Sequence, residues 1–206
     1  MAGRNRELVI ETATAACSVA LIENGVVVAA IHEVVGRGHA ERLIPMIAEL
    51  PDGGRADAIR VDCGPGSFTG VRVGLAAARA FGLGWGVPVT GFSSLALIAA
   101  DVADAPAGVA IAIPGGHGEL FVQCYGMRPL APSADLVSLK PDAAAATITE
   151  PLVAGSAAET LVMLRGYGEA RAAEARASNF IHLPANIAAL APSPIYGRAP
   201  DARPPG

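Results

Sequence analysis

Three short β-rich runs open the chain, at residues 8–11, 17–22 and 26–32, each bounded by turn residues. Glu23-Asn24-Gly25 between the last two carries the Asn-Gly signal of a tight hairpin, so an antiparallel meander is expected. After Gly36 and Gly38 the period changes, and Leu43, Ile44, Ile47 and Leu50 recur at helical spacing within residues 39–50. Pro45 removes the hydrogen bond to the Glu41 carbonyl and is expected to kink that helix. Residues 58–63 form a short apolar strand, and residues 62–82 read as its end, a tight glycine turn and a helix that is small and apolar almost all round. Residues 87–91 predict another strand, and Ser93 or Ser94 caps a helix from Leu95 to about Val102. The order β-β-β-α-β-α-β-α implies a mixed sheet with helices packed on it.

Residues 104–108 look like a linker into a second unit. There, strands are expected at 109–113, 120–125 and 152–154, and a helix at 157–164; residues 143–146 and 170–177 are alanine-rich and helix-permissive. From Pro192 on, repeated prolines predict an extended segment over the surface. The expected division is 1-104, 105-190 and 191-206, and no fixed-period repeat is visible.

Composition narrows the function classes. A formal charge of −4 argues against direct gripping of phosphate backbones, so any nucleic-acid role is expected to be indirect. Cys17, Cys63 and Cys124 are widely spaced and form no C-x-x-C pair, which suits reduced thiols in a cytoplasmic protein. No export signal is visible. The uncharged run 80–100 has the length of a membrane span, but Gly82, Gly84, Gly86, Pro88 and Gly91 interrupt it, so no membrane association is expected.

The glycine turn offers two readings. Gly64, Gly66, Ser67, Thr69 and Gly70 could hold a phosphate, because backbone N–H groups at a helix start attract anions. Yet the spacing is neither the dinucleotide fingerprint nor a Walker A loop, and a strand-to-helix connection capped by Ser67 or Thr69 explains it as well. Arg72 falls in the first helical turn, where a cation opposes the helix dipole and calls for an anionic companion.

On the helix itself, Gly70, Gly74, Ala78 and Gly82 form one column and Ala76, Ala80 and Gly84 another on nearly the opposite side. Only Arg72 and Arg79 are charged, so a sheet on one face leaves a flat apolar second face for a partner. Four scattered histidines show no metal-ligand spacing, and no metal or cofactor is expected. Cys63 beside the turn reads as a core thiol rather than a nucleophile. Glu11 and Asp62 end neighbouring strands, either as a carboxylate pair for metal-nucleotide chemistry or as solvated or capping groups.

The stretch Cys63-Gly64-Pro65-Gly66-Ser67-Phe68-Thr69-Gly70-Val71-Arg72-Val73-Gly74 closely resembles the signature of the TsaB (YeaZ) family. Weaker matches in register are the segment from Glu11 to Ala20, His39-Ala40-Glu41-Arg42-Leu43-Ile44-Pro45, and Pro194-Ile195-Tyr196-Gly197-Arg198. The resemblance implies an α/β, two-lobed actin-like ATPase (ribonuclease H-like) fold with mixed sheets flanked by helices and a reduced second lobe. It also implies a non-catalytic dimerisation partner of TsaD, the subunit that transfers a threonylcarbamoyl group to N6 of the adenosine beside the anticodon of ANN-decoding tRNAs. A TsaE-like ATPase would join through the complex, tRNA would be met only indirectly, and a homodimer could use the same helices.

The family contact maps to the helices matching 38–50 and 69–84, which puts the expected interface on Leu43, Ile47, Val71, Arg72, Leu75, Ala78, Arg79 and Gly82. Glu11 stands where the family usually has Asp, and Pro114-Gly115-Gly116 where it usually has Asp-Ala-Arg, so catalytic residues are not expected. The alternatives are a nucleotide-dependent transferase or peptidase-like hydrolase of the same superfamily, and a stand-alone homodimer.

Overall fold

A meander of β1 (Arg6–Glu11), β2 (Ala16–Glu23) and β3 (Val26–Val34) begins the computed structural model, which describes residues 5–105 and 108–197. The hairpin between β2 and β3 turns on Asn24 and Gly25 at φ 50° and 79°, the left-handed pair that a two-residue turn of this twist requires. Next come α1 (His39–Glu49), β4 (Ala58–Asp62), α2 (Phe68–Trp85), β5 (Val89–Phe92) and α3 (Ser94–Asp101), in the order the sequence predicts. Helix α1 is continuous across Pro45. The first sheet runs β3-β2-β1-β4-β5, antiparallel within the meander and parallel from β1 to β5.

The second sheet repeats that plan. It is built from β6 (Val109–Gly116), β7 (Glu119–Met127), β8 (Leu130–Pro132), β10 (Leu152–Ala154) and β11 (Glu169–Arg171), with β9 (Val137–Leu139) added on β7. Its order β11-β10-β6-β7-β8 mirrors β5-β4-β1-β2-β3, and α4 (Pro141–Thr147) and α5 (Ala158–Arg165) stand where α1 and α2 stand in the first unit. A 3-10 segment, Ala177–His182, takes the place of a third helix. The repeat lies in connectivity rather than in residues, which is why no period shows in the chain.

Between the sheets, α3 is buried from Ser94 to Ala100 on every side, as an all-apolar helix must be. Its cluster joins Val9 and Ile22 of the first sheet to Val109, Ile111 and Tyr125 of the second and to Phe180. A separate cluster lies under α1 and α2, and a third under α4 and α5.

Two expectations are corrected here. Ala105 is buried in the shared core, so the stretch around it is packed rather than a free linker; Pro106 and Ala107 lie outside the described residues. Residues 170–177 form no α-helix, because Glu169–Arg171 pairs in parallel with β10, and hydrogen bonding to a strand outranks alanine's helix preference. The tail returns across the first unit, where Gly91 and Leu190 exchange backbone hydrogen bonds of 2.7 and 2.8 Å and the Ile195 N–H donates to the Cys63 carbonyl at 2.7 Å. Residues 198–206 lie outside the described residues. The uncharged run 80–100 divides among α2, β5 and α3, and among the described residues no helix is long and apolar enough to cross a membrane.

Candidate functional site

Strand β4 ends at Asp62, whose Oδ1 accepts the Gly64 N–H at 2.7 Å and lies 2.9 Å from Ser94 Oγ. Gly64 turns the chain at φ 92°, and Ser67 then caps α2 by accepting the Gly70 N–H at 3.2 Å. The glycines serve close approach to the turn after β1. A Cβ on Gly66 would lie 2.1 Å from the Ala13 carbonyl oxygen, one on Gly70 2.0 Å from that of Thr12, and one on Gly74 2.4 Å from Thr12 Oγ1. Hydrogen bonds close the joint, from Thr12 Oγ1 to the Gly70 carbonyl and from the Ser67 N–H to the Ala13 carbonyl, both 2.7 Å.

This geometry narrows the phosphate reading. Of Gly64, Gly66, Ser67, Thr69 and Gly70, the Gly64, Ser67 and Gly70 N–H groups are already spent on Asp62, Ala13 and Ser67 Oγ, and Gly66 faces Ala13. With three of these five N–H groups engaged internally, the turn has fewer free donors for an anion than its glycines suggest.

The two-faced character of α2 is plain, but the expected interface residues fall mostly on the wrong side. Leu43, Ile47, Val71, Leu75, Ala78 and Gly82 are buried within this chain, and only Arg72 and Arg79 are exposed. The glycine column lets α2 settle onto the sheet, so the bulk beside that column turns inward with it. Facing outward are Phe68, Arg72, Ala76, Ala80 and Leu83, with Leu83 88% exposed. The Arg72 guanidinium sits 3.4 Å over the Phe68 ring centre, and the Phe68 ring is 6.5 Å from that of Tyr196 in the tail. Arg79 donates to the Pro192 carbonyl at 2.7 Å. Among the described residues no carboxylate pairs with Arg72, so its companion is an aromatic face rather than the anion its position calls for.

A cleft of about 550 Å³ opens between the units. Its walls include Thr14 and Ser67 from the first unit, and Gly115, His117, Ser156 and Glu174 from the second. Small and apolar residues supply most of the rest, and among the described residues no Lys or Arg lines it. Glu174 is already paired, with His32 at 2.9 Å and Arg176 at 2.6 Å.

Glu11 and Asp62 do not line this cleft; both are fully buried, so the solvated reading of these strand ends is corrected. Burial pushes both carboxyls up, Asp62 to about 7, and the neighbouring Asp62 raises Glu11 further. Sequence reasoning marked their strand ends but missed their seclusion; the one signal was the uncharged Thr-Ala and Cys-Gly that follow them. Burial likewise holds the Cys63 thiol up at about 11, which removes it as a nucleophile. Among the described residues no three His, Cys, Asp or Glu groups converge as a metal site.

Against this geometry, the comparisons agree. The family model described as TsaD, tRNA N6-adenosine threonylcarbamoyltransferase, matches residues 25–130, just over half of the chain. The tRNA threonylcarbamoyladenosine biosynthesis protein TsaB of Escherichia coli (strain K12) is 42% identical over 99 residues, covering 46% of this chain and 42% of that one. This chain therefore matches less than half the length of that relative. An uncharacterized protein of Mycobacterium tuberculosis is 32% identical over 208 residues, covering 96% of this chain and 93% of its own. The solved structure titled YeaZ from Pseudomonas aeruginosa superposes with a TM-score of 0.78 at 26% identity, covering 93% of this chain and 99% of that one.

Proposed function

This chain belongs to the TsaB (YeaZ) family, and from that premise we propose that it is the non-catalytic dimerisation partner of a TsaD-like threonylcarbamoyltransferase in N6-threonylcarbamoyladenosine formation on tRNA. The observation that carries the reading is the outer face of α2, where Phe68, Ala76, Ala80 and Leu83 stand in solvent along a helix whose other face is fully packed. A row of small side chains flanked by large ones suits close packing of a partner helix, and exposed apolar surface of this kind marks contact sites. Ile44 on α1, 49% exposed, extends the apolar surface. The cleft supports the same reading, since among the described residues no Lys or Arg lines it to hold phosphates and its one carboxylate is engaged. A TsaE-like ATPase then joins through the transferase subunit, and tRNA is handled by that subunit.

Co-purification with the transferase subunit from the same cell tests this directly. Leu83→Glu and Ala76→Arg, both on exposed positions, are expected to weaken capture at least about tenfold, an ordinary cost for a charge placed in an interface core. Met163→Glu on α5, 79% exposed in the other unit, is the control and leaves capture unchanged. Full capture by both α2 variants overturns the proposed contact; nucleotide turnover by the isolated chain overturns the non-catalytic role and favours the transferase or hydrolase alternative.

A further inference from the structure

Ile10 and Val61 pair in register on the parallel strands β1 and β4, so Glu11 and Asp62 follow as neighbours whose side chains leave the same face of the sheet. That face is packed on α3, for Asp62 reaches Ser94 at its first turn. One oxygen of each acid is employed: Glu11 Oε1 accepts the Thr14 N–H at 2.9 Å, and Asp62 Oδ1 accepts from Gly64 and Ser94. The other oxygen of each, Glu11 Oε2 and Asp62 Oδ2, is buried without a partner.

Among the described residues no Lys, Arg or His pairs with them: His39 on α1 turns its Nε2 to the Thr14 and Ala16 carbonyls, 3.0 Å from each, and His32 on β3 faces Glu174 at 2.9 Å. The titratable neighbour on β2 is Cys17, the next residue after Asp62 is Cys63, and the second sheet brings Tyr125, whose hydroxyl donates to Gln123 at 2.7 Å. Arg60, earlier on β4, is held by Glu7 and Thr90; on α2, Arg72 lies on Phe68 and Arg79 on the Pro192 carbonyl. Asp101, at the far end of α3, serves the Glu174 N–H and Asn179, and His182, closing the 3-10 segment, is exposed.

Two adjacent, fully buried carboxylates that no described cation pairs with are too costly to ionise together. A single proton removes one charge and supplies the donor that both vacant oxygens lack. We propose that Glu11 and Asp62 hold one proton in common between Glu11 Oε2 and Asp62 Oδ2, as an acid–carboxylate pair that pins the turn after β1 to the glycine turn. Burial, which raises both acids above the usual carboxylate range, acts in the same sense. The pin sits behind the wall of the cleft, since Thr14, whose N–H it holds, and Gly66, just beyond Gly64, both line it. The inference is independent of the partner reading.

The folded chain then carries a proton that the unfolded chain releases above an ordinary carboxylate pKa of about 4. Stability falls as pH rises from there until the shared proton leaves, with the unfolding constant growing about tenfold per pH unit for each such proton. Urea unfolding of the full chain between about pH 5.5 and 8, below the range where thiols ionise, reads that slope. Glu11→Gln, whose amide donates to Asp62 without titrating, is expected to lower it by about one proton. Infrared spectra of the wild-type chain near neutral pH provide a second readout that needs no variant to fold: the carbonyl stretch of a protonated carboxyl is expected, and is lost or displaced in Glu11→Gln. Absence of that band, or a slope equal in both chains, overturns the proposal; so does a slope flattened by added Mg²⁺, which would place a metal ion where the proton is assigned.

Discussion

The carbonyl oxygen of Thr12 occupies the space where a side chain on Gly70 would begin, 2.0 Å from the position of its Cβ. No side-chain rotation relieves that contact, because the Gly70 backbone fixes the Cβ and the Thr12 oxygen belongs to backbone. Gly70→Ala is therefore expected to push α2 off the sheet and cost about 3 kcal/mol or more, at or above the upper end of overpacking effects. Gly84, near the end of the same helix, meets nothing within 4 Å. Gly84→Ala is expected to stabilise by about 0.5–1 kcal/mol through helix preference alone. Denaturant midpoints of the two variants check the contrast, which separates a glycine held by packing from one that is not.

Ser94 Oγ lies 2.9 Å from both Asp62 Oδ1 and the Pro65 carbonyl oxygen, in a fully buried position. Ser94→Ala removes the one O–H that these two acceptors share and is expected to destabilise by about 1–3 kcal/mol, the range for leaving buried polar groups short of a partner. Ser93→Ala, which removes the cap on the Leu95 N–H, is expected to cost about 1 kcal/mol. Urea titrations of both variants measure the difference.

Much of the first unit was legible because its signals are local. The Asn24-Gly25 turn, the apolar period of α1 and the Ser67 and Ser93 caps each act within a few residues. In the second unit β6, β7, β10 and α5 were legible, but β8 and β9 have three residues each, too few to show alternation, and β11 is held by a neighbour distant in sequence. The site was half legible. Two glycine-rich columns on α2 signalled two packed faces, but which one met the sheet depended on Thr12 and Ala13, more than fifty residues earlier. The burial of Glu11 and Asp62 was likewise invisible, because the helix and second sheet that cover them follow later in the chain.

Arg72 and Phe68 give the outer face of α2 a feature that can be measured in the isolated chain. A guanidinium 3.4 Å above an exposed ring is worth about 0.5–1 kcal/mol at such sites. A double-mutant cycle on stability with Arg72→Ala and Phe68→Ala is expected to return a coupling of that size. Arg72→Lys is expected to lose part of it, since the planar guanidinium stacks where an ammonium does not. Additivity within about 0.3 kcal/mol would show the stack to be without energetic weight.

Cys17, Cys63 and Cys124 are all buried, and burial pushes their thiols up to about 12, 11 and 12. Unfolded thiols ionise near about 8.5, so between that value and the folded ones the unfolded chain releases protons that the folded chain keeps. A raised folded pKa on an acid makes stability fall as pH rises, and here the fall begins at about pH 8.5, above the range of the carboxyl pair. The native thiols are expected to react with a disulfide reagent at about pH 8 at least a hundredfold more slowly than in urea, since only the thiolate attacks and burial denies access. Cys17→Ser would keep the small side chain but bury a hydroxyl in an apolar cluster, at about 1–3 kcal/mol. Thiol-labelling rates across increasing urea check both statements: in the native baseline labelling should track the unfolded fraction, and rapid labelling of any one cysteine without urea would show that its cover opens locally.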